Sequence, residues 1–341
     1  MFSRHLCLLR FTYAGSVNTG PSRLTVREFR KSCQAFARGQ NSKPSQSLHP
    51  FEAATGGGHS SSRSLWKPFI FTVAFSSCSF VGASLWQYEN VRDRAIRIAK
   101  RPFGWIEEKF YGSIKQGSWR REINAWWNGL TEGQRLFYPI CLANCFVFLA
   151  WRVPSFQTTM VKYFCSNPCS RVLCWPMLLS TFSHYSALHL VANMYVLHSF
   201  STGAVASLGK EQFLGFYLSA GVISSFTSYL HKVSIASNSL SLGASGAIMA
   251  ILGYVCTVHP DTKLGIIFLP MYSFSADTAI KVIVALDAIG VIMGWRFFDH
   301  AAHLGGALFG ISWALWGNEY VWKKREPLVR WWHEIRGTPT E

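Results

Sequence analysis

Residues 300–310 read HAAHLGGALFG. Ala302, Gly306 and Gly310 recur every four residues, so on a helix they form one smooth row where a second helix can approach closely. His303 stands beside the row, inside an otherwise apolar window at 301–317. A polar ring in hydrocarbon costs free energy unless it is partnered, so the stretch calls for a facing helix with its own smooth row and a polar group. Residues 243–253, GASGAIMAILG, supply both: Gly246, Ala250 and Gly253 make the row and Ser245 stands next to it. The two helices can touch.

Working outward, the chain is 49% apolar and 15% aromatic, and its apolar residues gather in runs too long for ordinary core helices. Windows of this kind lie at 68–87, 136–152, 178–200, 212–230, 244–258, 276–295 and 301–317. About 20 apolar residues cross the roughly 30 Å hydrocarbon layer as a helix, which predicts seven spans and an all-α polytopic membrane helical bundle. The windows at 212–230 and 301–317 are short for a full crossing, but their small residues suit spans buried inside a bundle. The expected organisation is an N-terminal transmembrane helix at 67–88, a basic amphipathic interfacial segment at 89–135 with Trp105, Trp119, Trp126 and Trp127, a six-span core at 136–317 and a basic tail at 318–341. The loop at 153–177 follows Trp151-Arg152, contains Pro154 and is expected to be structured and partly embedded. LGIIFLP at 264–270 ends in Pro and is too short to cross, so it is expected to be an extended connector.

The net charge of +16 is unevenly placed. Residues 1–50 carry eight Lys/Arg against one acid, Glu28, are rich in Ser and Thr, and lack an uninterrupted apolar core. That composition argues against a secretory signal and for a mitochondrial presequence; the Gly/Ser-rich residues 51–66 follow as a flexible linker. The expected location is the mitochondrial inner membrane, as a multi-pass protein in contact with its lipid. Most of the remaining positive charge flanks spans, where it sets orientation, so no nucleic-acid partner is expected. Nine cysteines show no paired spacing for a metal, and Cys165, Cys169 and Cys174 have no completing His or second Cys pair in their loop. No metal and no other cofactor is expected.

Chemistry concentrates in three places. SHYSALHLVANMYV at 183–196 holds His184, His189 and Asn193; His189 and Asn193 are four apart and share a helical face, so both can donate to a developing oxyanion or serve as polar glue between helices. Ser245 needs a base within about 3.2 Å to act as a nucleophile, and His303 is the candidate. Asp299 and Asp287 are the acids that could orient the imidazole. Asp299, at a span boundary, reads as the cap of the last helix, so Asp299→Asn is expected to be mild, and a Ser–His dyad oriented by packing alone is preferred to a triad. No H-E-x-x-H and no G-x-G-D run is present, which excludes the zinc and aspartyl routes to intramembrane cleavage.

Taken together and in this order, H-x4-H-x3-N at 184–193, G-x-S-G at 243–246 and A-H-x2-G-x3-G at 302–310 resemble the rhomboid intramembrane serine proteases over about 136–317. The presequence and the extra first span are similar to those of the family's mitochondrial branch, giving a six-helix core plus one added helix. The resemblance implies Ser245 as nucleophile, His303 as general base and acid, and an oxyanion hole of His189, Asn193 and the Ser245 backbone N–H. His184 would support the site, and Gly243, Gly246, Gly306 and Gly310 its close packing. It also implies single-pass transmembrane proteins as substrates. Relatives often place an aromatic ring four residues after the serine, beneath the histidine; here Met249 stands there, so His303 is expected to be held less rigidly. The rival reading is a pseudoprotease or membrane scaffold that binds client helices, against which the presence of both Ser245 and His303 weighs. A presequence predicts an amino terminus in the matrix, and seven spans then put the carboxyl tail in the intermembrane space and Ser245 on the amino-terminal side, although the positive charge of 89–135 and of the tail points the other way.

Overall fold

The computed structural model describes residues 65–110, 117–266 and 269–337. The expected presequence at 1–50, and the linker at 51–66 apart from its last two residues, lie outside the described residues. Helix α1 (Trp66–Phe110) contains the first apolar window and continues beyond it through the charged residues that follow, since Glu, Arg, Lys and Ala all favour helix. The stretch 89–135 is therefore shared between the far half of α1 and a second helix, α2 (Ser118–Gly129). On α2, Trp119, Ile123, Trp126 and Trp127 recur at helical spacing and are all exposed, an apolar face of the kind that lies in a membrane interface.

Helix α3 (Glu132–Ala150) starts at a reciprocal cap: the Gln134 N–H donates to Thr131 Oγ1 (3.2 Å) and the Thr131 N–H donates to Gln134 Oε1 (3.0 Å). The long loop after it is structured, with a 3-10 turn at Pro154–Phe156, α4 (Gln157–Phe164) and α5 (Cys174–Leu179), followed by a 3-10 turn at Ser180–Phe182. Helix α6 runs from Ala187 to Leu208, so the window read as 178–200 starts later and ends later than the hydropathy suggests, and His184 lies in the loop ahead of the helix. Helix α7 (Lys210–Ser234) is the central element, packed against α1, α8 (Ser245–Val258) and α10 (His300–Ser312).

Between α8 and α9 (Ala276–Met293) the expected extended connector is a two-stranded antiparallel ladder, β1 (Lys263–Ile266) and β2 (Leu269–Ser275). Its pairing was not legible because the strands are short and end in a bulge at Gly265/Ile266. Ser275 caps α9, accepting the Thr278 N–H at 3.3 Å, and Gly294, at φ 67°, ends it in the left-handed region that glycine tolerates. Helix α10 passes without a break into a π-helix, Trp313–Trp322, and the tail forms α11 (Glu326–Arg336). That last helix docks on α1: the Trp332 indole donates to Glu89 Oε1 (2.8 Å), and Tyr88 Oη lies 2.5 Å from His333 Nδ1.

Among the described residues, Trp66–Ala99, Glu132–Ala150 and Lys210–Ser234 are long and apolar enough to cross a membrane, and Ser245–Val258 is a shorter apolar helix. The other windows are helical too, but α6 and α9 carry polar or charged residues and α10 reaches full length only through its π-helical extension. Their polar content has a reason in the centre of the bundle.

Candidate active site

The smooth rows of α8 and α10 meet. A Cβ built on Gly306 would lie 2.0 Å from the Gly246 carbonyl oxygen, one on Gly310 2.0 Å from the Ala250 oxygen, and one on Gly253 2.5 Å from the Ala307 oxygen. Backbone lies on backbone here, and only glycine fits. The close approach brings His303 Nε2 to 2.9 Å from Ser245 Oγ, within the reach required of a base and its nucleophile. On a neighbouring face of α10, a Cβ on Gly305 would run into the Thr227 side chain, so α10 also lies tightly against α7.

Ser245 is the first residue of α8, where backbone N–H groups have no intrahelical acceptor and the helix dipole favours negative charge. The chain leading to it is pinned at several points. Ser166 and Ser241 exchange backbone hydrogen bonds of 2.8 and 2.9 Å, the Gly243 N–H donates to the Ser180 carbonyl (2.9 Å), and the Ala244 N–H donates to His184 Nε2 (3.3 Å). His184 is fully buried, and accepting at Nε2 fixes its proton on Nδ1. Trp151 secures the same loop from α3, its indole donating to Ser183 Oγ at 2.9 Å and its ring meeting Tyr185 edge-on.

His189 stands across from Ser245. A Cβ on Gly243 would be 2.8 Å from His189 Cε1, 3.3 Å from its Nε2 and 3.7 Å from Ser245 Oγ, so the missing side chain leaves a small space bordered by the imidazole and the hydroxyl. Gly243 also has φ 133°, a conformation side chains rarely adopt. Asn193, one turn along α6 and buried, spends one amide N–H on the His189 carbonyl (2.8 Å); its amide has a second to donate. Met249 packs into the core, and an aromatic ring reaches His303 from elsewhere: Phe298, in the loop before α10, lies 6.0 Å away between ring centres.

The two acids separate. Asp299 caps α10 through the Ala302 N–H (3.1 Å), but its other oxygen accepts from Ser228 (2.5 Å) and Ser241 and lies 3.3 Å from Lys232 Nζ, which also donates to Ser241. Burial alone would raise the Asp299 carboxyl; the Lys232 ammonium, the two hydroxyls and the backbone N–H overcome it and hold the group at about 2. This cluster ties the end of α7, the segment before Ser245 and the start of α10 into one knot. Asp287 of α9, buried to 5% exposure, lies 3.5 Å from His303 Nδ1 and 2.7 Å from His300 Nδ1. Packing alone, then, is not what surrounds the imidazole. Lys232 and His300 escape motif reading, yet a charge beside or within an apolar window implies a buried partner, and that signal singles out both Lys232 and Asp287.

Comparison with known proteins places this geometry in context. A Rhomboid domain matches residues 173–318. The Presenilin-associated rhomboid-like protein, mitochondrial, of Homo sapiens is 56% identical over 277 residues, covering 80% of this chain and 72% of that protein. The Presenilin-associated rhomboid-like protein A, mitochondrial, of Danio rerio is 48% identical over 289 residues, 80% of this chain and 76% of that one. Rhomboid protein 1, mitochondrial, of Saccharomyces cerevisiae is 31% identical over 198 residues, 58% and 57% of the two chains.

Proposed function

The chain belongs to the rhomboid family of intramembrane proteases and is a multi-pass mitochondrial membrane protein, and on that premise we propose that it cuts single-span membrane proteins within or at the edge of their transmembrane helix, with Ser245 as nucleophile and His303 as base and acid. The observation that carries this reading is the 2.9 Å contact between Ser245 Oγ and His303 Nε2, built where two helices can approach no closer.

The peptide carbonyls of a substrate helix are tied into its own hydrogen-bond ladder, and hydrocarbon offers no water to attack them. Substrates whose helices are weakened by Gly or Pro fray at the membrane edge and can present an extended segment. As Ser245 Oγ bonds to the carbonyl carbon, its proton passes to His303 Nε2, and the oxygen becomes an oxyanion. The space kept by Gly243 receives it, bordered by the His189 ring and adjoining the N–H groups that open α8, with the second Asn193 N–H available on the same face of α6. When the C–N bond breaks, the departing amine takes the proton from Nε2 and leaves an acyl-enzyme. Water then gives its proton to Nε2, attacks the acyl carbon, and Ser245 recovers its proton as the acid leaves.

The test is cleavage of a co-expressed single-span substrate by Ser245→Ala and His303→Ala. Each variant is expected to insert at normal abundance and to lose cleavage. Residual activity within about tenfold of wild type in Ser245→Ala overturns the reading, because a nucleophile cannot be removed so cheaply.

A further inference from the structure

The mechanism above leaves Asp287 unused, although it lies at the heart of the bundle. A carboxylate buried on a helix inside a membrane bundle needs strong partners, and Asp287 draws both from α10: one of its oxygens, Oδ1, lies 2.7 Å from His300 Nδ1 and 3.5 Å from His303 Nδ1. The backbone is shaped for this meeting. Gly290 sits three residues after Asp287, on the same face of α9, and a Cβ there would stand 2.5 Å from His300 Cγ, so the glycine is the notch that admits the His300 ring. Trp295 and Phe298 close over that ring at 5.8 and 6.0 Å between centres.

Resting on the reading of Ser245 and His303 as the reacting pair, we propose that Asp287 is the positioning residue of the general base, held in place by His300. For His303 Nε2 to take the serine proton, its own proton must sit on Nδ1, and a hydrogen-bond acceptor facing Nδ1 is what selects that tautomer. Asp287 is the acceptor that faces it. At 3.5 Å the resting contact is looser than a good hydrogen bond; when His303 becomes an imidazolium, opposite charges draw the two together, and apo geometry commonly tightens in this way. Asp287 takes no proton itself. The 2.7 Å contact between His300 Nδ1 and Asp287 Oδ1 is the one that fixes the His300 ring, since its buried Nε2 has no hydrogen-bond partner among the described residues. Asp299 does not compete for the role, since its carboxylate is spent on Lys232, Ser228, Ser241 and the cap of α10.

The experiment is kinetics of the purified full chain in lipid vesicles on a single-span substrate, comparing wild type with Asp287→Asn and Gly290→Ala. Asp287→Asn preserves shape and removes the charge; kcat is expected to fall at least about tenfold with KM within about twofold, the signature of an interaction that matters only in the transition state. Gly290→Ala displaces His300 without touching either reacting residue, and kcat is expected to fall severalfold. The proposal is overturned if Asp287→Asn keeps kcat within about threefold of wild type, or if its loss of kcat is matched by a loss of thermal stability while Gly290→Ala turns over normally, which assigns the pair a purely structural role. Loss of stability in Asp287→Asn together with slow turnover in a stable Gly290→Ala supports it. Ser245→Ala run alongside separates the two levels: if that variant still cuts, the reading of the site itself has failed, whereas an inert Ser245→Ala beside a fully active Asp287→Asn removes only the positioning role.

Discussion

Replacing Gly306 with Ala adds one methyl group where α8 and α10 touch. The new Cβ would stand 2.0 Å from the Gly246 carbonyl oxygen and 2.9 Å from its carbon, and both are backbone atoms that no rotamer change can move aside. Real Cβ contacts essentially stop at 3.0 Å, so α10 must retreat by about 1 Å, an overpacking strain of about 1–3 kcal/mol. His303 lies three residues before Gly306 on the same face of the helix and retreats with it. The 2.9 Å contact with Ser245 then opens toward roughly 3.9 Å, past the roughly 3.2 Å within which a base can act. A misplacement of about 1 Å costs on the order of 100-fold in rate, and that is the loss expected for Gly306→Ala, together with a lower melting temperature; Gly306→Leu should abolish activity. The assay is cleavage of a single-span substrate in vesicles alongside thermal unfolding. Gly203→Ala is the control, because among the described residues a Cβ at that position of α6 meets nothing within 4 Å. If Gly306→Ala cuts within about threefold of wild type and melts normally, helix contact does not set the geometry of the pair, and the reasoning fails.

Asn193→Ala removes one donor to the oxyanion and should lower kcat by about 10²–10³ with little change in KM; an unchanged rate with a lower melting temperature would instead make Asn193 a structural link to the His189 carbonyl. Asp299→Asn keeps the cap, since Asn caps as well as Asp, but strips Lys232 of its counter-charge. Breaking a buried pair costs about 3–5 kcal/mol, and with the Asp299 side chain 25% exposed a loss of about 1–3 kcal/mol is expected, recovered in large part by adding Lys232→Met; an unchanged melting temperature would dismiss the knot. Because the Asp299 carboxyl is held at about 2, below the roughly 3.9 of an unfolded chain, its stabilisation is full above about pH 4 and lost as the pH falls toward 2, a dependence Asp299→Asn should flatten in an acid melting series. A tag after Glu341 should be digested when the outer mitochondrial membrane is ruptured, placing the tail in the intermembrane space; a protected tag reverses the orientation and the side on which Ser245 opens.

Apolar windows of about 20 residues located the helices because hydrocarbon thickness dictates their length. The facing rows were legible for a similar reason: Ala302, Gly306 and Gly310, like Gly246, Ala250 and Gly253, have a spacing that survives only where backbones meet. Asp299 as a helix cap could also be read from its place at a span boundary. What escaped depends on contacts that no periodicity encodes. Lys232 meets Asp299 across two intervening helices, and His300 reaches Asp287 only because Gly290 leaves room for the ring. The expectation of a mild Asp299→Asn rested on the cap alone, since capping is local and visible in sequence while a buried ion pair is not. His184 was placed on the helix because hydropathy does not mark where α6 begins, whereas the structure puts it in the loop, accepting from Ala244.

The central claim is that His303 activates Ser245. It is tested most directly by labelling the purified chain in vesicles with a fluorophosphonate, which reacts with an activated serine and requires no knowledge of the substrate. Wild type should be labelled at Ser245, and both Ser245→Ala and His303→Ala should remain unlabelled while folding normally. Labelling of wild type at another residue, or undiminished labelling of His303→Ala, would contradict the account.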